Sequence, residues 1–403
     1  MVEKASAFRH FVQTEYKLSD WASQQRDRAR RRPLVTPARI FQLAVHQPVV
    51  GLGSLLDVDQ WVRTAPSRRL VGPPADPRCP GSDSTLLRAL GAWEMEPTRQ
   101  ASYALHRQLR DRGWAGRTLG TGRAVRLAVV DGSNFGGIWA SVFGFVGRFY
   151  YSVDVQRYAG RGHELTASRQ LLDRATTQLG EGFATHLLYD GLMADRADFA
   201  RARRHWGLHL VVKTSEVETL SLLADTRALW SGKPSAQLRQ AGVEVRSGAD
   251  AARAVTYQIH AQGGFHWEGL SFALKLAWVQ ETHLKGKYAG QTFEFWVMTT
   301  DESLTGEELR ELAHARWATE NNGFKCTNAA VGSKKAYLKN GAAKEALLLL
   351  WGMGLALRQA FRLWLEAQQA WRDWGVKKTA KFLSRCILCS VLDDEVLGCG
   401  GSP

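Results

Sequence analysis

Between residues 124 and 214 the chain alternates apolar, β-branched runs with segments of helical period. AVRLAVVDG (124–132), WASVFGFVG (139–147) and RFYYSVDVQ (148–156) read as strands, the first ended by Asp-Gly and the third alternating in polarity. HELTASRQLLDRATTQL (163–179) has the helical period, ATHLLYDG (184–191) is another apolar strand ended by Asp-Gly, RADFARARRHW (196–206) is a basic helix and LHLVVKT (208–214) a further strand. Three strands, helix, strand, helix, strand predicts a mixed α/β sheet. From 215 to 300 the rhythm changes. RAVTYQIHAQ, LSFALKLAWVQETHLKG and YAGQTFEFWVMTT read as strands joined by glycine turns, a β-rich insertion. Helix returns with EELRELAHARWATE (307–320), and a long helical tail follows over 342–374.

The first 115 residues alternate helical patches with breakers. TPARIFQLAVHQ (36–47) has Thr36 to cap the helix and Pro37 at its first turn. GLGSLLDVDQWV (51–62) is a second helix, and SDSTLLRALGAW (82–93) a third that Ser82 or Asp83 can cap, with Arg88 facing out. Short helices joined by turns fit a helix-turn-helix DNA reader, and equally a small bundle with a solvated basic face. The most apolar run, ALLLLWGMGLAL (346–357), is twelve residues long. Spanning a bilayer takes roughly 20, so it reads as a buried core helix. The N-terminus MVEKASAFRHFVQTEYK has no apolar stretch of the signal-peptide kind.

Charge narrows the partners. The net charge of +14 over 403 residues points to a polyanion, nucleic acid before an anionic membrane surface. Five scattered cysteines suit a reducing compartment. Cys386-x-x-Cys389 has no second pair at zinc-site spacing, and His205 and His209 are separated by Gly207 and a turn, so neither is assigned a metal.

The carboxylates carry more. LAVVDGS and LLYDGLM place Asp131 and Asp190 at the C-terminal ends of two apolar strands. That edge of an open α/β sheet is where ligands bind. Two carboxylates on neighbouring strands repel unless a cation joins them, and a hard divalent metal with oxygen ligands answers this. Taken singly, each Asp is more often turn chemistry. A helix after the insertion can bring Glu320 to the same edge, with Arg316 one turn before it on the same face. Three carboxylates suffice to cage the metal pair of phosphoryl-transfer chemistry. Asp195 and Asp198 are expected to cap the helix that follows Asp190, and Asp154 lies mid-strand outside the set.

VVDGSNFGG (129–137), LLYDGLMAD (187–195), and FWVMTTDE (295–302) followed by HARWATENNGFK (314–325) resemble the three acid-bearing blocks of DDE transposases of bacterial insertion sequences. The subgroup is the cut-and-paste one with a β-strand insertion before the last acid, and the resemblance covers residues 36–375. The family spacing around the Glu is Tyr, two residues, Arg, three residues, Glu, six residues, Lys. Arg316 and Glu320 fit it, while Ala313 and Thr327 occupy the Tyr and Lys positions and Lys325 comes two residues early.

The resemblance implies an α/β (α+β) fold with a ribonuclease-H-like mixed sheet. Its expected parts are a helical DNA-binding region (1–120), a first core segment (121–214), the β-rich insertion (215–302), a second core segment with the Glu helix (303–340) and a C-terminal helical region (341–403). It implies that Asp131, Asp190 and Glu320 are catalytic and bind two Mg2+ or Mn2+ ions. Arg316 would hold a DNA phosphate, with Lys325, Lys334 and Lys335 standing in for the family Lys. Trp296 would stack an unpaired base, with Trp278 and Trp267 as competitors. The partners implied are double-stranded DNA (inverted-repeat ends and target) and a second copy of the chain, with no membrane, in a bacterial cytoplasm at the nucleoid. The implied activity is cleavage at the element's ends and strand transfer to target DNA. Two alternatives remain: a DNA-binding relative or inhibitor without catalysis, and a metal-dependent nuclease of the same fold that does not join strands.

Overall fold

The computed structural model describes residues 2–28, 33–74, 80–160, 162–191, 195–214, 221–335 and 340–367. Cys79, Cys386, Cys389, Cys399 and the last residues of the expected tail (368–374) lie outside them. The strands are β1 Gly116–Thr118, β2 Ala124–Asn134, β3 Trp139–Val146, β4 Tyr150–Tyr158, β5 His186–Asp190, β6 His209–Thr214, β7 Glu244–Asp250, β8 Val255–Phe265, β9 Leu274–His283 and β10 Thr292–Thr299. They form one mixed sheet in the order β4-β3-β2-β5-β6-β10-β9-β8-β7, with β1 paired to β2. β4, β3 and β2 are antiparallel neighbours; β2, β5 and β6 run parallel. The strand–helix sequence expected over 124–214 is present.

The insertion departs from expectation in two ways. It begins with helices, Ser221–Trp230 and Ser235–Gln240, before its first strand. Its strands do not make a sheet of their own. β10 pairs antiparallel with β6, setting Trp296 opposite Thr214 and Thr299 opposite Val211, so β10, β9, β8 and β7 extend the central sheet. A β6 left open would expose a row of unpaired backbone groups, and β10 satisfies them.

The period-two alternation of β2 sorts its side chains between two cores. Ala128 and Val130 join the larger cluster, which contains the N-terminal helices. Leu127 and Val129 join a second cluster with Leu309 and Leu312 of the helix Gly306–Arg316. That helix is started by a capping box: the Glu308 amide donates to the Thr305 hydroxyl while the Glu308 carboxylate accepts from the Thr305 amide.

The N-terminal helices are Val2–Thr14, Leu18–Ser23, Pro37–Val50, Leu55–Val62, Ala65–Val71, Asp83–Gly91 and Met95–Asp111. Thr36 and Ser82 cap theirs as expected, accepting from the Arg39 and Thr85 amides. They do not stand apart as a separate unit. Phe8, Phe11 and Ile40 share one core with Leu357 and Phe361 of the helix Gly341–Ala367. That helix is 27 residues long and apolar enough to cross a membrane, yet 78% of its most apolar window is buried inside the protein. The apolar run is a core helix.

Two glycines let this helix nest. A Cβ at Gly352 would fall 2.1 Å from the Ser152 hydroxyl on β4, and one at Gly354 would fall 2.0 Å from the Val45 carbonyl oxygen on the Pro37–Val50 helix. The backbone contact at Gly354 cannot be relieved by rotating a side chain. Asp154 is a second fixed point, fully buried and held by Arg99 at 3.1 Å, Arg174 at 2.9 Å and the Tyr103 hydroxyl at 3.1 Å. Its mid-strand position serves the fold.

Gly354→Val should destabilise the protein by about 1–3 kcal/mol or more through overpacking. Urea unfolding checks this, with Gln359→Ala on the partly exposed side of the same helix as the tolerated control.

Candidate functional site

The parallel pairing of β2 with β5 sets Val129 beside Leu188, and two residues on, Asp131 and Asp190 arrive side by side at the strand ends. Asp131 shares the sheet face of Leu127 and Val129, the face covered by the Gly306–Arg316 helix. Arg316, the last residue of that helix, therefore ends above both strand ends. Its Nη1 lies 3.0 Å from Asp190 Oδ2 and 3.5 Å from Asp131 Oδ2, and its Nη2 donates to Glu320 Oε1 at 3.1 Å. The three acids taken from distant parts of the sequence thus meet around one guanidinium. Arg316 is only 6% exposed, so this is a buried hub and not a surface i,i+4 pair.

Glu320 does not continue the helix. Thr319–Phe324 is a π-helical segment between Gly306–Arg316 and the helix Lys325–Val331. Such widened turns are frequent at functional sites. Two contacts hold this one: the Phe324 ring meets Phe135 edge-on at 5.2 Å, just past the end of β2, and Gly323 lies against the Tyr150 ring, where a Cβ would sit 2.5 Å from Cε1. The Glu320 side chain remains 46% exposed.

Burial dominates the electrostatics of Asp131, pushing its carboxyl up to about 7; Arg316 opposes the shift, while Glu320, Asp190 and Glu164 add to it. The ion pairs are imperfect. Asp131 Oδ2 and Arg316 Nη1 are both buried without an aligned hydrogen bond. Among the described residues no three carboxylate, His or Cys side chains are drawn together closely enough to hold an ion. The donor set is nevertheless all oxygen, as a hard divalent cation requires, and an orphaned buried carboxylate oxygen has a use for one. The residues fit such an ion once the guanidinium leaves the centre.

The other expected residues are distributed unequally. Lys325 is exposed one turn after Glu320 and donates to Asn321 Oδ1 at 2.6 Å. Lys334 and Lys335 are exposed in the turn after that helix, and their backbone packs on Gly136, where a Cβ would meet the Lys335 carbonyl oxygen at 2.4 Å. All three flank the acids. Trp296 does not fit the base-stacking role. It is 2% exposed and lies between Trp230, at 5.7 Å, and Trp278, at 6.0 Å, in near-parallel stacks. Both of its faces are taken within the insertion's own core. Trp278 is itself 7% exposed, and Trp267 packs edge-on against Phe199, at 5.6 Å. Asp195 caps its helix by accepting from the Ala197 amide, whereas Asp198 is fully buried and paired with Arg169 at 2.7 Å.

Two residues at the site were missed. Lys213 stands directly beside Asp190 in the β5–β6 register. Its Nζ sits 3.4 Å from the Trp317 ring centroid and 4.5 Å from that of Phe295. Burial and then the Arg316 charge lower its pKa to about 8. It lines a cleft of about 870 Å³ with Arg117, Arg253, Trp317, Asn321 and Asn322, a basic and aromatic lining suited to nucleic acid. The signal was present: LVVKT ends its strand in a charged residue as LLYDG does. The second is Glu164, the first residue of the helix Glu164–Leu179. Burial raises its carboxyl pKa, the Gly132 amide opposes that, and the Asp190 charge reinforces it. No motif marks it in the sequence.

Asp131 gives the metal-free protein a pH dependence of definite sign. Its folded pKa of about 7 lies above the ordinary aspartate value of 3.8, so the folded state binds the extra proton. The contribution is complete below pH 4 and is lost as pH rises through 7. Asp131→Asn should remove this decline and stabilise the protein in EDTA at pH 8, by on the order of a few kcal/mol. Melting temperatures from pH 4 to 8 check it. The chain matches no known protein-family model, and no curated protein is significantly similar to it.

Proposed function

We propose that this chain is a DNA transposase of the DDE type. It binds the inverted-repeat ends of an insertion sequence, cleaves the strands by metal-dependent hydrolysis and joins the 3′-hydroxyl ends to target DNA. The observation that carries this reading is the convergence of Asp131, Asp190 and Glu320 on Arg316 at the C-terminal edge of the parallel strands. The strand order β4-β3-β2-β5-β6, antiparallel and then parallel, supports a ribonuclease-H-like core, with β7 to β10 added at the β6 edge. A net charge of +14 supports DNA as the partner.

Bound at these acids, a pair of Mg2+ or Mn2+ ions would activate the attacking oxygen and steady the leaving one. The chain's own contribution is positioning. Asp131 and Asp190 are fixed by the β2–β5 register and Glu320 by the packed π segment. Arg316, once released from the acids, presents a planar donor fork to a phosphate, which Lys cannot imitate. Lys325, Lys334 and Lys335 lie exposed at the rim to meet the backbone, and Lys213 faces it from the cleft. Work on paired ends by two copies, in a bacterial cytoplasm at the nucleoid, belongs to the same reading.

One observation favours the alternative of a DNA binder without catalysis: Arg316 already neutralises the acids from within. A cleavage assay separates the two. On DNA carrying the element's ends, the wild type should cut in Mg2+ and Glu320→Gln should lose at least about a hundredfold in rate, as expected when a metal-site carboxylate is removed. Both should bind the ends, with affinity falling steeply between 50 and 200 mM salt, as phosphate neutralisation requires. Binding without cleavage in either protein establishes the inactive binder. Cleavage without preference for the ends or strand joining establishes a nuclease.

A further inference from the structure

Glu164 approaches the acids from the opposite face of the sheet. Its helix packs on β3 and β4 with Leu171 and Leu172 in the larger core, whereas Arg316 comes from the other side. The carboxylate crosses to the strand end over Gly132, the residue after Asp131. A Cβ at Gly132 would fall 2.3 Å from Glu164 Oε1 and 2.8 Å from the Tyr158 hydroxyl, so glycine alone leaves this route open. An acid in the first turn of a helix is ordinary when it faces solvent. Glu164 is instead half-buried and within electrostatic reach of Asp131 and Asp190. The ion pairs of the site run through Arg316 to the other three acids and leave Glu164 out. Beside it, Asp131 Oδ2 is buried and has no hydrogen-bond donor. An acid brought by a dedicated glycine toward an orphaned carboxylate oxygen adds repulsion, and a shared cation converts that repulsion into binding.

We propose that Glu164 is a fourth carboxylate of the divalent-cation site, sharing an ion with Asp131 on the side of the sheet away from Arg316. The proposal rests on the metal-site reading of Asp131, Asp190 and Glu320. It gives the site a ligand from the Glu164–Leu179 helix, so that both faces of the sheet contribute, and it assigns Gly132 the role of clearing the path.

The test is a Mn2+ titration of the full chain, with free Mn2+ read by electron paramagnetic resonance, alongside melting temperatures in EDTA. Wild type is compared with Glu164→Gln, Gly132→Ala and Asp131→Asn. Glu164→Gln should weaken Mn2+ binding about tenfold or more, while its melting temperature in EDTA equals or exceeds that of wild type because a like charge has gone. Gly132→Ala keeps the carboxylate but displaces it, and should show the same loss of Mn2+. Unchanged binding in Glu164→Gln, with binding lost in Asp131→Asn, overturns the proposal and leaves the metal site standing. Weakened binding with a lower melting temperature in EDTA assigns Glu164 a structural role and also overturns it. A wild type that binds no Mn2+ overturns the metal-site reading together with the proposal.

Discussion

Parallel pairing of β2 with β5 forces Asp131 and Asp190 together, and the repulsion that results is the constraint around which the rest of the site is built. Two carboxylates at adjacent strand ends, one of them 7% exposed, cannot both stay ionised without a cation. In this structure the cation is Arg316. Delivering it to the strand ends requires the Gly306–Arg316 helix to lie across the second core at a set height. The Thr305–Glu308 capping box fixes where that helix begins, and Leu309 and Leu312 fix which side it buries. The helix then stops being regular as soon as Arg316 has been delivered. A continued α-helix would carry Glu320 along its own axis, while the π segment, held by Phe135 against Phe324, sets it over the same group.

What the sequence revealed follows from which signals are local. Strand ends marked by Asp-Gly, helical period over 163–179 and the i,i+4 spacing of Arg316 and Glu320 are properties of short windows, and all of them are found in place. β7 was illegible because Glu244–Asp250 is a largely exposed edge strand without alternating polarity. The continuity of the insertion with the central sheet was illegible because it depends on β10 pairing with β6, strands that begin 83 positions apart, 209 to 292. Glu164 belongs to the same class. Its importance lies in the missing Cβ of Gly132, 32 positions away, and not in its own neighbourhood.

Trp296 shows how a correct local reading can still misplace a side chain. It does lie in the strand before the Glu helix, but strand position fixes only the face on which an indole emerges. Whether that face is open depends on the Ser221–Trp230 helix, whose terminal Trp230 closes it. Trp230, Trp296, Trp278 and His260 stack in succession, with Arg227 over the Trp278 ring at 5.1 Å. Aromatic pairs of this kind each add about 0.5–1.5 kcal/mol beyond the area they bury. The stack ties the insertion's helix to β8, β9 and β10, and so to β6 and the strand end where Lys213 stands beside Asp190. The indole expected to receive a base serves instead to hold the insertion against the catalytic edge.

Arg316 has two roles that exclude each other. A guanidinium with one amino group shared between Asp131 and Asp190 and the other given to Glu320 has no fork left for a phosphate. The misaligned contacts of its Nη1 show that the first role is served by charge more than by geometry. That is the kind of interaction a divalent cation replaces most readily, because a hard ion outcompetes a guanidinium for carboxylate oxygens at close range. On the transposase reading, filling the acid site and freeing Arg316 for DNA are one event. Metal affinity and DNA affinity are then linked through a single side chain, and linkage of this kind acts equally in both directions.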